Sequence, residues 1–201
     1  MKARAMKCLL WGLMALAVFF LASGFYIPVK ALFAQYLLNK AWQQTLTDKQ
    51  IYKPWPWADT YPVARLRVPE LNVEQIVLDG DQGNSLAFAP GLHPGSEQDK
   101  RNGMMVISAH RDTHFRFLND IKPGQLIELQ RRDGSISRFQ VEAVQVVNIR
   151  HTVLTSPADG KWLALVTCYP FHSIEADPDL RYVVLAEQVM AEEALVLGYV
   201  Q

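Results

Sequence analysis

Trp162-Leu163-Ala164-Leu165-Val166-Thr167-Cys168 is an uncharged run that ends on a threonine and a thiol, with Tyr169-Pro170 directly after it. A short apolar run of this kind, stopped by a proline, reads as a buried β-strand giving way to a loop. The same texture extends outward in both directions. Ala64–Val68, Val73–Leu78, Met104–Ala109, Leu126–Gln130, Ile136–Val147 and Tyr182–Glu187 are further candidate strands, separated by Gly, Pro, Asn and Asp. Asp133-Gly134 between two of them is a hairpin signal. Gln82–Ala87 and His114–Asp120 read as short helical turns. Many short strands with few helices predict a mainly β domain, a closed sheet or sandwich of about 140 residues beginning at Ala58.

The residues before that domain have another character. Cys8 to Val29 (CLLWGLMALAVFFLASGFYIPV) holds no charge. At about 1.5 Å per residue, such a run spans a bilayer core of about 30 Å. Residues 1–30 therefore read as a cytoplasmic tip and a transmembrane helix. Lys2, Arg4 and Lys7 precede the run, and the positive-inside rule leaves the N-terminus in the cytoplasm and the domain outside it. A cleaved signal peptide is the competing reading, since Ala22-Ser23-Gly24 has the small residues of a cleavage site. The run exceeds the usual apolar stretch of about 7–15 residues in such peptides, which favours the anchor. Residues 31–57 read as a juxtamembrane helix, Ala31–Gln44, and a linker, Lys53-Pro-Trp-Pro-Trp57. The two linker tryptophans suit either a lipid interface or the domain surface.

The 201 residues carry 20 basic and 20 acidic side chains, but unevenly. Up to Trp57 the net charge is +6, and from Ala58 onward it is −6. A domain of that sign lacks the basic footprint of a nucleic-acid binder. Cys8 and Cys168 are the only cysteines, and a membrane between them would forbid a disulfide. Cys168 is then a lone thiol in an oxidising compartment, where idle thiols are uncommon.

A thiol at the end of a buried strand is rigidly held and partly accessible, as a nucleophile must be. Its ordinary pKa of about 8.5 calls for a base or cation close by. His110 ends the run Met104–Ala109 and opens the polar stretch Arg111-Asp112-Thr113. Its imidazole can take the thiol proton and later hand it to a leaving amine. Arg181 opens the final strand, and a return loop from Cys168 would bring both to one end of the sheet if the two strands are neighbours. A guanidinium there can steady a tetrahedral oxyanion. His114 makes an HRDTH pair with His110, but it lacks the glutamate and the helix of a zinc H-E-x-x-H motif.

Together these features resemble the sortases, the membrane-anchored cysteine transpeptidases of bacteria. Ala164-Leu-Val-Thr-Cys168 matches the strand-end pattern TLxTC that carries the family's nucleophile. His110 and Arg181 fall in the family's order of histidine, cysteine and arginine. Ser108-Ala-His-Arg-Asp-Thr113, Thr167-Cys-Tyr-Pro-Phe171, Arg181-Tyr-Val-Val184 and Trp55-Pro-Trp-Ala-Asp59 look most like class D and the related Gram-negative, marine proteobacterial sortases. The resemblance covers Ala58–Gln188 and the anchor. It implies a closed eight-stranded barrel with short helices over residues 58–201, no cofactor and no metal. It also implies that Cys168 forms a thioester with a C-terminal sorting signal similar to Leu-Pro-x-Thr-Gly on an exported protein. An amine of the cell envelope then accepts the acyl group. His110 would serve as acid and base and Arg181 would hold the oxyanion, while Thr167 contributes nearby and Ala164 occupies a position associated with holding the peptide. Ala164 stands where the family pattern has threonine, which bears on peptide preference. The acidic loop Glu175, Asp177, Asp179 is a weak cation candidate. Two alternatives belong to other classes: a non-catalytic anchored peptide-binding β-domain, and a peptidoglycan-crosslinking L,D-transpeptidase-type cysteine enzyme. The latter favours Ser-x-Gly-Cys where this chain has Leu-Val-Thr-Cys.

Overall fold

The computed structural model describes residues 2–83, 85–96, 103–155, 160–173 and 178–189. Helix α1 runs unbroken over Lys2–Asp48, with Pro28 inside it. The chain divides into two compact units between Leu37 and Leu38. In the first unit the helix is long and apolar enough to cross a membrane. Trp11, Phe19, Phe20 and Phe25 are all more than 60% exposed. A helix apolar on every side has its natural surroundings in lipid rather than water.

The second unit begins with the last turns of α1. Leu38 and Trp42 are fully buried there against Ile76, Leu78 and Ala89. The segment read as a juxtamembrane helix thus contributes its second half to the compact unit, and the Trp42 indole is part of a core. The two linker tryptophans part company. Trp55 packs edge-on against Phe88 at 5.1 Å, while Trp57 is 80% exposed.

Among the described residues, eight strands follow: β1 (Pro62–Val68), β2 (Val73–Asp79), β3 (Gly91–Leu92), β4 (Met104–Ser108), β5 (Leu126–Arg131), β6 (Ile136–Asn148), β7 (Trp162–Cys168) and β8 (Leu180–Val189). They close into a barrel in the order β1-β2-β3-β4-β7-β8-β6-β5. The pairs β2–β3 and β4–β7 are parallel and the others antiparallel. All seven candidate strands are present, and Asp133-Gly134 lies in the β5–β6 turn with Gly134 at φ +89°. The strand that escaped sequence reading is β3, whose two residues are too few to carry a period.

Side-chain alternation gives the sheet two apolar faces. Leu163 and Leu165 of β7 point into the barrel with Ile107, Phe139 and Val184. Trp162 and Ala164 of the same strand point the other way and pack with Met104 and Val183. The central strand is therefore buried on both sides, which explains why its sequence is a continuous apolar run rather than an alternation.

Gly91 owes its identity to a crossing of backbone. A Cβ there would lie 2.2 Å from the Gly80 carbonyl oxygen and 2.6 Å from Asp81 Cα. The passing loop places Asp81 Oδ2 where Ser108 Oγ donates to it at 3.1 Å and His93 Nδ1 lies at 2.9 Å. Gly91→Ala must displace rigid backbone and loosen this staple beside β4. The expected cost is about 2–3 kcal/mol, or a Tm lowered by about 5–10 °C. An unchanged Tm would show that the crossing is not tight.

Candidate active site

Three neighbouring strands end at one rim of the barrel, and each brings one of the predicted residues. Antiparallel β7 and β8 pair Cys168 directly with Arg181. Alternation puts Cys168 on the face of Trp162 and Ala164, and Arg181 on the face of Val183. These are the same face. Parallel β4 and β7 pair Ser108 with Val166, and the ladder continues with Ala109 N–H donating to the Val166 carbonyl at 3.2 Å. Two residues beyond Ser108, His110 therefore falls beside Cys168, two residues beyond Val166. With adjacent strands about 4.8 Å apart, the order across the sheet is histidine, cysteine, arginine. His110 is exposed and Cys168 is half-buried.

The surroundings of each residue are specific. Arg181 Nη1 donates to the carbonyls of Pro178 and Leu180, which turns the guanidinium back along its own loop. Thr167 is 2% exposed, and its Oγ1 donates to the Ala109 carbonyl at 2.7 Å. That bond joins the residue before Cys168 to the residue before His110. Ala164 is fully buried. Beyond Cys168, Tyr169 stacks on Tyr182 at 6.1 Å and Phe171 meets Tyr182 edge-on at 5.0 Å. Burial and the neighbouring Tyr169 hold the Tyr182 hydroxyl above its usual pKa.

The pair His110 and His114 is close enough to interact. Burial first, and the charge of His110 second, push the His114 pKa below its usual value, against a backbone hydrogen bond with Ala87. Gln75 Nε2 also donates to the His114 carbonyl at 2.6 Å. A histidine with a depressed folded-state pKa is neutral in the fold and takes up its proton more readily when unfolded. Its stabilising contribution is present above the unfolded pKa of about 6.5 and is lost as pH falls through the folded value. Stability should therefore decline on acidification below about pH 6.5, and His114→Gln should flatten that part of the curve. Parallel curves for the two proteins in urea titrations would refute this.

Asp112, two residues after His110, turns to Arg111, with its carboxylate 3.5 Å from Nε. Among the described residues no group of three or more His, Cys, Asp or Glu side chains could hold a metal. In the acidic loop, Asp179 pairs with Arg150 at 2.7 Å, while Glu175 and Asp177 lie outside the described residues.

A family model described as the sortase domain matches residues 66–189, more than half of the chain. This chain belongs to the sortase family. It is 28% identical over 125 residues to Sortase D of Bacillus subtilis (strain 168), across 62% of each sequence. The match thus spans less than two thirds of that relative's length. Solved sortases share the fold. A Clostridium perfringens Sortase D5 transpeptidase superposes with a TM-score of 0.60 at 18% identity, covering 79% of this chain and 99% of that one. Sortase A from Corynebacterium diphtheriae gives 0.57 at 21% identity, covering 78% and 84%.

Sequence reasoning passed over one residue of this sortase rim. Arg111 was noted only as part of a polar stretch, yet it is 5% exposed. The available signal was its position, directly after a strand-end histidine.

Proposed function

We propose that this sortase-family protein is a membrane-anchored cysteine transpeptidase that cleaves a C-terminal signal similar to Leu-Pro-x-Thr-Gly and transfers the exported protein to an amine of the cell envelope. The observation that carries the reading is the register that sets Cys168 opposite Arg181, with His110 extending the adjoining strand. In the first half-reaction His110 accepts the thiol proton and Sγ attacks the scissile carbonyl carbon. Arg181 faces the resulting oxyanion. The C–N bond then breaks, the imidazolium protonates the departing amine, and a thioester remains on Cys168. In the second half-reaction an acceptor amine attacks the thioester and gives its proton to His110, and the thiol is regenerated. No cofactor takes part. Ala164 and Thr167 would shape the floor on which the peptide lies, from beneath the surface. The uncharged N-terminal helix preceded by Lys2, Arg4 and Lys7 supports a single-pass anchor in the cytoplasmic membrane, with the barrel on the periplasmic side.

The test is a mass measurement. Residues 38–201 form the second compact unit. The detergent-solubilised full chain, mixed with sorting-signal peptides varied at each position, should gain the mass of the peptide's N-terminal fragment. Hydroxylamine should release that fragment as a hydroxamate. If no peptide of a broad library forms an adduct, the transpeptidase reading fails and a binding module becomes the better account.

A further inference from the structure

Among the described residues, Arg111 is the one charged side chain that is buried. Its Nη2 donates to the Ser173 carbonyl at 2.6 Å and its Nη1 to the Pro170 carbonyl at 3.2 Å. The carboxylate of Asp112, 3.5 Å from Nε, is itself 66% exposed. Burying a guanidinium is costly, and a methionine of similar length would fill the same space without that cost. What an arginine adds is a planar fork able to hold two separate carbonyls at fixed spacing. The two carbonyls belong to the segment between Cys168 and Arg181, and the arginine itself is bonded directly to His110. On the other side of His110, the Ala109 carbonyl is held by Thr167 Oγ1 at 2.7 Å. The base is thus tied on both flanks to the strand and loop that carry the thiol.

We propose that Arg111 is a positioning residue, which sets the approach of the His110 imidazole to Cys168 by pinning the loop after the nucleophile to the segment that carries the base. Its role in turnover rests on the acyl-transfer reading above, but its effect on the thiol does not. Arg111→Met keeps the volume and removes both donors. Arg111→Lys keeps the charge but has no fork. The substrate-free readout is the rate of Cys168 alkylation by iodoacetamide as a function of pH. The second readout is kcat and KM with a reactive sorting peptide, and the third is Tm.

Both variants should remain folded, with the alkylation–pH profile displaced from that of the parent. Their kcat should fall by about 10–100-fold, the scale of a small misplacement of reacting groups, with KM changed by less than about threefold. A folded Arg111→Met or Arg111→Lys protein with the parental alkylation profile and parental kcat would overturn the proposal. So would an activity loss that merely tracks the unfolded fraction. If the parent itself forms no acyl adduct while the alkylation profile still shifts in the variants, the positioning role stands and the transpeptidase reading falls.

Discussion

Cys168→Ala is expected to abolish acyl-enzyme formation, with the rate of fragment transfer falling by at least about 10⁴-fold. Half-burial at a strand end makes the thiol reachable while the strand on either side fixes its direction. On the acyl-transfer reading, removing Sγ takes away the atom that would form the thioester, and neither His110 nor Thr167 can replace it. The imidazole would give an acyl species too labile to accumulate, and Thr167 is turned inward onto the Ala109 carbonyl. The substitution removes a single buried-edge atom, so the fold should persist, as circular dichroism can verify. His110→Ala should leave the thiol in place but strip it of its base and the leaving amine of its acid, a loss of about 10²–10⁴-fold. An adduct on the Cys168→Ala protein would mean that another group is the nucleophile.

Arg181→Lys should lower kcat/KM by about 10²-fold or more, in the range found when one oxyanion donor is lost. The charge survives this change, so a residue acting as a mere surface cation would be indifferent to it. A guanidinium is different because it is a rigid plane of five N–H donors, so one edge can hold the Pro178 and Leu180 carbonyls while another faces an oxyanion. An ammonium that satisfies those carbonyls has no fixed second edge to present. Most of the loss should fall on kcat, because the oxyanion is absent from the bound substrate and develops only in the tetrahedral intermediate and the transition states on either side of it. Parental kinetics in the lysine protein would remove Arg181 from the chemistry.

The strands were legible because they are bounded by turn residues and the central one is apolar on both faces; the residues alone left a closed sheet or a sandwich open, and the resemblance to sortases supplied the barrel. The juxtaposition of Cys168 and Arg181 was legible too, since a return loop between neighbouring antiparallel strands leaves few registers. The placement of His110 was not derivable in that way. It depends on the parallel pairing of β4 with β7, strands far apart in sequence, and only the resemblance to sortases suggested it. The docking of α1 was hidden because Leu38 and Trp42 continue the apolar character of the anchor before them, so no change of texture marks the boundary. The burial of Arg111 was not legible, because the hydrogen bonds it donates to Pro170 and Ser173 go to backbone carbonyls, which every sequence has.

The parallel β4–β7 pairing has a temporal consequence. The bond from Thr167 to Ala109 joins residues 58 positions apart, and no turn can bring parallel strands together early. Such long-range pairing comes late in folding, after the intervening loops have been closed. Until the barrel shuts, Cys168 does not have His110 extending the strand beside it. On the acyl-transfer reading, the site is assembled only when the fold is complete, and a nascent or half-unfolded copy has no assembled site with which to attack peptide carbonyls of its own chain or its neighbours.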